Sequence, residues 1–186
     1  MSQNVGRVEI RDAGVDDVRE IQNVVRTTWD DTYKESIPEG VRKEFVGQAY
    51  SADSLKRRIE ANVLLLASHN GNVVGFADFR SRSSTEVELA AIYVLPEMQG
   101  RGIGTRLLQA GIGRFPLSTS FVLQVEQDNT RARRFYEAHG FRHEGDHAVE
   151  FFGHVVHTAE MRSCTSLMPA LEAFLATVEP EIVTTK

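Results

Sequence analysis

Residues 99 to 105 read Gln99-Gly100-Arg101-Gly102-Ile103-Gly104-Thr105. The run lies between a strand-like and a helix-like stretch, so its backbone N–H groups converge where a helix dipole is positive, an arrangement suited to an anion. Its glycines let a pyrophosphate approach the amides and permit positive φ, and Arg101 can add a charge. Two other phosphate loops fit the letters less well. No Gly-Lys-Ser/Thr follows a glycine at the spacing of a triphosphate loop, and the dinucleotide pattern begun at Gly100 finds Thr105 where its last glycine belongs. Glu126 follows the next strand at a distance that suits a ribose-binding acid, which keeps a nicotinamide-dinucleotide reading open. Upstream, Trp29 and Tyr33 with Asp30, Asp31 and Glu35 can form a pocket where aromatic faces and carboxylates hold a cation, or a helix end with solvated charges. His143 with His147, and His154 with His157, sit on strand and loop stretches where that spacing does not converge, so no metal is expected.

The elements that must position these residues follow from periodicity. Val8 to Arg11 reads as a strand, and Asp17 with Glu20 offers a capping-box-like start to a helix whose Val18, Ile21, Val25 and Trp29 face inward. Trp29 to Ile37 reads as a loop or bent connection. Pro38 can open a second helix through Val41, Phe45 and Val46, and Ser51 or Asp53 can cap a third carrying Leu55 and Ile59. Val63 to Ser68 and Val73 to Phe79 are strands joined by a hairpin whose signal is Asn70-Gly71, and Glu86 to Val94 is a third long strand ended by Pro96. Ile103, Leu107, Leu108 and Ile112 give a helical period, Phe121 to Val125 a buried strand, and Asn129 can cap a helix from Thr130 to His139 closed by Gly140. Phe141 to Glu150 and Val155 to Met161 form a closing hairpin. Leu167, Leu171, Phe174, Leu175 and Val178 repeat helically after that.

At 186 residues one domain is expected, taken as 1–163 with a helical extension at 164–186 that packs on the domain or on a second copy in a homodimer. Hydrophobic residues at 41% and charged residues at 25% give an ordinary globular balance, so the chain should fold unaided. A net charge of −5 with scattered Lys and Arg gives no general attraction to nucleic acid or anionic lipid. No apolar run approaches the ~20 residues that span a bilayer, so no membrane partner is expected. The single Cys164 forms no internal disulfide and no secretion-type sequence opens the chain, which makes the cytoplasm the expected compartment.

The cradle is preceded by Leu89-Ala90-Ala91-Ile92-Tyr93-Val94-Leu95-Pro96 and followed by Asn129, Phe135-Tyr136 and Gly140-Phe141. On these residues the chain resembles the GNAT superfamily of N-acetyltransferases, whose Q/R-x-x-G-x-G/A signature is met by Gln99, Gly102 and Gly104. The segment Trp29, Tyr33, Ile37-Pro38 and the closing region around Phe151-Phe152-Gly153 resemble bacterial PaiA-like polyamine acetyltransferases. The resemblance implies an α/β fold with a mixed, mostly antiparallel central sheet flanked by helices, with an extra C-terminal helix. It implies acetyl-CoA as cosubstrate and a primary amine, of the polyamine kind, as small-molecule acceptor. It also implies that Ile92, Tyr93 and Val94 pair their backbone with the pantetheine arm, that Gln99, Gly100, Arg101, Gly102, Ile103, Gly104 and Thr105 hold the pyrophosphate, and that Asn129 and Tyr136 line the reactive end.

An alkylammonium has no lone pair, so a base must take its proton. Glu88, near the middle of the strand leading to the cradle, is the first choice, with Glu86 second and beside the acceptor. Tyr136 is the expected acid for the departing thiolate, and Trp29 and Tyr33 the expected acceptor contacts. Protein N-termini or lysines as acceptors, and a non-catalytic acyl-CoA sensor, stay as alternatives.

Overall fold

A computed structural model describes residues 7–164. Of the helical extension expected at 164–186, Cys164 instead ends a strand, and the rest lies outside the described residues. Seven strands form one sheet in the order β1-β2-β3-β4-β5-β7-β6. These are β1 Val8–Asp12, β2 Val63–His69, β3 Asn72–Ser81, β4 Glu86–Val94, β5 Ser120–Glu126, β6 Arg142–Phe151 and β7 His154–Cys164. All neighbours are antiparallel except β4 and β5. The helices are α1 Val18–Tyr33, α2 Glu39–Ala49, α3 Ala52–Ala61, α4 Ile103–Ile112 and α5 Thr130–Ala138. This is the mixed, mostly antiparallel sheet with flanking helices that the motifs imply.

The sheet is buried on both faces, which explains why β2 reads as a continuous apolar run. Leu64 and Leu66 join Phe76, Leu55 and the α1 stripe of Ile21, Val25 and Trp29 in one core. Leu65 and Ala67 join Phe79, Leu107, Leu108 and Phe121 in the other, beneath α4. The asparagine-glycine turn closes β2 onto β3 with Asn70 and Gly71 both at positive φ.

Two local expectations are corrected. Asp17 makes its box one turn early: its carboxylate accepts from the Gly14 N–H at 2.7 Å and closes a 3-10 turn at Val15–Asp17, while α1 begins at Val18. The stretch from Trp29, expected as a loop, stays helical to Tyr33. Packing overrides the weak propensity of that run. Trp29 and Tyr33, four residues apart, bring their ring centroids to 4.7 Å, and Trp29 stacks on Phe45 of α2 at 4.4 Å. The chain turns only beyond Tyr33, whose carbonyl accepts from the Ser36 and Ile37 N–H groups.

One irregularity opens the molecule. In β4, Leu89 pairs with Phe79 and Ala91 with Asp78, which leaves Ala90 as a bulge. Pairing of β4 with β5 ends at Glu88↔Val122. A bulge bends its strand and increases local twist. Beyond it, residues 89–94 of β4 and 124–126 of β5 become opposite walls of a cleft of about 870 Å³.

Candidate active site

The cradle forms one end of this cleft. Gly102 is the N-cap of α4 with φ 75°, no side chain caps the helix, and Gly100 is also left-handed at φ 76°. The first-turn N–H groups therefore have no capping side chain, and the helix dipole adds positive potential there. A Cβ added at Gly100 or Gly102 meets nothing within 4 Å, so the space before the amides is open to a ligand. These features fit a pyrophosphate. Gln99, Gly100, Gly102, Ile103, Gly104 and Thr105 line the cleft. Arg101 is exposed and outside its lining. The Gln99 side chain turns back instead, its amide donating to the Val94 carbonyl at 2.8 Å and tying the cradle to the end of β4.

Left-handed backbone is a genuine outlier for a β-branched residue. Gly102→Val should therefore distort the cradle and weaken acetyl-CoA binding about 10-fold or more, the equivalent of ~1.4 kcal/mol. Calorimetric titration of the folded variant measures this, and unchanged affinity would reject the cradle assignment.

Ile92, Tyr93 and Val94 line the cleft along the edge that β5 leaves unpaired. Such an edge offers main-chain donors and acceptors to an extended amide-bearing ligand. Tyr136 stands across from it, 8% exposed, its ring edge-on to Phe135 and Phe141. Burial pushes its phenol well above the usual range, with Tyr93 adding to the shift, so the proton stays on. Asn129 does two jobs. Its carbonyl oxygen accepts the Ala132 N–H at 3.0 Å and caps α5, while its side chain hydrogen-bonds the Tyr33 hydroxyl. The Tyr33 phenol is pushed up as well, chiefly by burial.

The expected acceptor contacts Trp29 and Tyr33 both line the cleft, together with Asp31 and Glu35. Asp30 does not; it pairs with Arg42 at 3.2 Å beside a separate cavity between α1 and α2. Among the described residues, the cleft wall carries the carboxylates of Asp31, Glu35, Glu126 and Asp128 against the one cation Arg131. A wall so composed attracts cations.

Glu88 and Glu86 are not brought to this cleft. Glu88 lies opposite Arg80 in the β3–β4 register, and its carboxylate accepts from Arg80 and, at 3.2 Å, from Arg82. Glu86 pairs with Arg162 on β7. Both precede the bulge, on the part of β4 still paired with β5. Of the cleft's carboxylates, Glu126 is the one on the central sheet, at the end of β5. Burial raises its proton affinity above the ordinary carboxylate range; a hydrogen bond from Ser36 opposes this, Asp128 adds to it, and His154 opposes it. In the sequence Glu126 reads only as a ribose-binding acid. Its signal was a carboxylate at a strand end, three residues before the Asn129 cap.

Among the described residues no group of three His, Cys, Asp or Glu side chains could hold a metal ion. His143 pairs with Asp146 at 2.8 Å and His147 with Glu160 at 3.6 Å. No described helix is long and apolar enough to cross a membrane.

A family model described as the acetyltransferase (GNAT) family matches residues 22–141. The chain is 31% identical over 139 residues to the uncharacterized N-acetyltransferase YuaI of Bacillus subtilis, covering 71% of this chain and 79% of that protein. It is 26% identical over 152 residues to a spermidine N(1)-acetyltransferase of Thermoplasma acidophilum, covering 77% and 94%. Among solved structures, the PaiA N-acetyltransferase from Thermoplasma acidophilum in complex with coenzyme A superposes with a TM-score of 0.74 at 22% identity, covering 85% of this chain and 99% of that one.

Proposed function

The chain belongs to the GNAT family of acetyltransferases, and from that premise we propose that it acetylates a primary amine of a small cationic acceptor of the polyamine kind, with acetyl-CoA as donor. The observation that carries the choice of acceptor is the composition of the cleft beyond the cradle. Among the described residues, four carboxylates and the rings of Trp29 and Tyr33 line it against a single arginine. Carboxylates and aromatic faces both hold alkylammonium groups, and a second ammonium on the acceptor would meet the carboxylates that the reacting nitrogen leaves unused. The likeness to the spermidine acetyltransferase supports the same class.

Acetyl-CoA supplies the acetyl group as a thioester, whose carbonyl carbon the free amine attacks with loss of the thiolate. Cradle and open β4 edge hold it, with Gln99 to Thr105 around the pyrophosphate and Ile92 to Val94 along the arm. Glu126 takes the first proton from the ammonium, and its raised proton affinity suits it to this task near neutral pH. The nitrogen forms its bond to carbon, and its second proton leaves with the sulfur. Tyr136 donates a hydrogen bond to that sulfur. A thiol titrates near ~8.5, well below a phenol pushed up by burial, so Tyr136 stabilises the thiolate without surrendering its own proton. The sum is ammonium plus thioester to amide, thiol and one proton, which Glu126 passes to solvent.

Release of free coenzyme A tests this reading against spermidine, a monoamine, an amino acid amide and an N-terminal peptide. Turnover should rank the polyamine first and fall with added salt. Equal rates for the uncharged-tail monoamine would reject the cation-binding wall, preference for the peptide would favour a protein N-terminal or lysine acceptor, and no release with any amine would favour a binding module.

A further inference from the structure

We infer that the side chain of Tyr93 is a catalytic hydrogen-bond donor, its hydroxyl proton aimed by a buried relay at the thioester carbonyl oxygen. This rests on the acetyl-transfer reading above.

The relay begins at Asp78, a fully buried carboxylate in β3. It accepts from Arg58 Nε at 2.6 Å and from Asn62 Nδ2 at 2.8 Å, both from the end of α3. A second Arg58 nitrogen donates to the Ala49 carbonyl at 3.3 Å. So held, the guanidinium lies over the Tyr50 ring, 4.7 Å from its centroid, and also hydrogen-bonds the Tyr50 hydroxyl. Tyr50 Oη is 3.5 Å from Tyr93 Oη, and Trp29 Nε1 is 3.1 Å from the same oxygen.

The donor inventory sets the direction of every bond. Guanidinium and indole N–H groups only donate. Tyr50 receives from Arg58, so its proton goes to Tyr93. Burial keeps that proton in place. Trp29 also donates to Tyr93. The Tyr93 oxygen thus accepts twice, and its own proton has no acceptor in the relay. Among the described residues no other group accepts it. The remaining direction is the cleft, which Tyr93 lines and where its oxygen is felt by the phenols of Tyr33 and Tyr136.

That space is where the acyl end must lie, because residues 92–94 supply the open edge and Tyr136 the facing phenol. Negative charge collects on the carbonyl oxygen as nitrogen attacks carbon. A phenol whose oxygen already accepts two hydrogen bonds is polarised to donate its proton, and it needs no reorientation as that charge appears.

Tyr93→Phe keeps the ring and removes the proton. Loss of one such donor costs about 10²-fold in kcat, with KM for acetyl-CoA little changed. A second readout needs no turnover: the infrared carbonyl stretch of 13C-acetyl-labelled coenzyme A bound to the protein. A hydrogen bond lowers that frequency, so the stretch should rise in Tyr93→Phe. Tyr50→Phe or Trp29→Phe, each removing one donor, should move it part of the way, and neither should add to Tyr93→Phe in the double variant. An unchanged stretch in Tyr93→Phe, or fully additive losses in the doubles, would overturn the relay while leaving the acetyl-transfer reading intact. A wild-type protein that binds no acetyl-CoA would overturn both.

Discussion

Glu126→Gln lowers turnover at neutral pH by about 10²-fold or more and regains much of the loss as the solution becomes alkaline. The sign follows from the role. Glu126 can accept a proton only when ionised, and burial holds its carboxyl above the ordinary carboxylate range. Wild-type rate should therefore rise with pH through that raised value and level off above it. In the Gln variant this limb disappears. What remains tracks the acceptor's own deprotonation, which for an alkylamine lies near pH ~10, so the deficit shrinks as that pH is approached. Initial rates with spermidine from acid to alkaline pH, for wild type, Glu126→Gln and Glu88→Gln, decide the matter. Glu88 is held by Arg80 and Arg82, and its variant should keep the wild-type profile. The same loss at every pH in Glu126→Gln would make that carboxylate a counter-ion for the bound ammonium. The pH-rescued loss in Glu88→Gln alone would return the role of base to Glu88.

Tyr136→Phe reduces kcat by about 10- to 10²-fold while acetyl-CoA affinity stays close to wild type. The magnitude comes from the bond removed: a hydrogen bond to a charged group contributes ~1.5–3 kcal/mol, and each ~1.4 kcal/mol is tenfold in rate. The ring, edge-on to Phe135 and Phe141, is retained, so packing changes little. Because the buried phenol holds its proton tightly, the loss should not depend on pH across the neutral range, unlike that of Glu126→Gln. Single-turnover rates and direct titration with acetyl-CoA separate chemistry from binding. Near-wild-type turnover with the chemical step rate-limiting would leave Tyr136 as a packing residue.

These two residues show where reading the letters succeeds and where it stops. Tyr136 is legible because it belongs to a local signal: the Asn129 cap, the helix of 130–138 and the Gly140 stop all lie within a dozen residues. The cradle is legible for the same reason, since a glycine turn opening a helix is built from consecutive backbone. Strand and helix identities are mostly legible because hydrophobic period is a local property. The helix through Tyr33 is not legible because it rests on contacts between separate elements, such as Trp29 on Phe45 of α2.

By itself the sequence determined that a glycine turn opens α4, and that Asn129 caps and Tyr136 sits on the helix after the next strand. Tertiary structure alone decided which of Glu86, Glu88 and Glu126 lines the cleft. Along β4, Glu88 stands six residues from Val94 and looks near the reacting end, whereas Glu126 belongs to a different strand. The Ala90 bulge and the end of β4–β5 pairing at Glu88 reverse that order, leaving Glu88 in the paired part of the sheet against Arg80 and opening the gap in which Glu126 stands. The relay to Tyr93 is nonlocal in the same way, since Trp29, Tyr50, Arg58 and Asp78 meet only when α1, α3 and β3 pack together. Chain proximity specifies which backbone groups converge. Proton-transfer partners depend on where separate elements cross, and that is set by burial of the two cores on either side of the sheet.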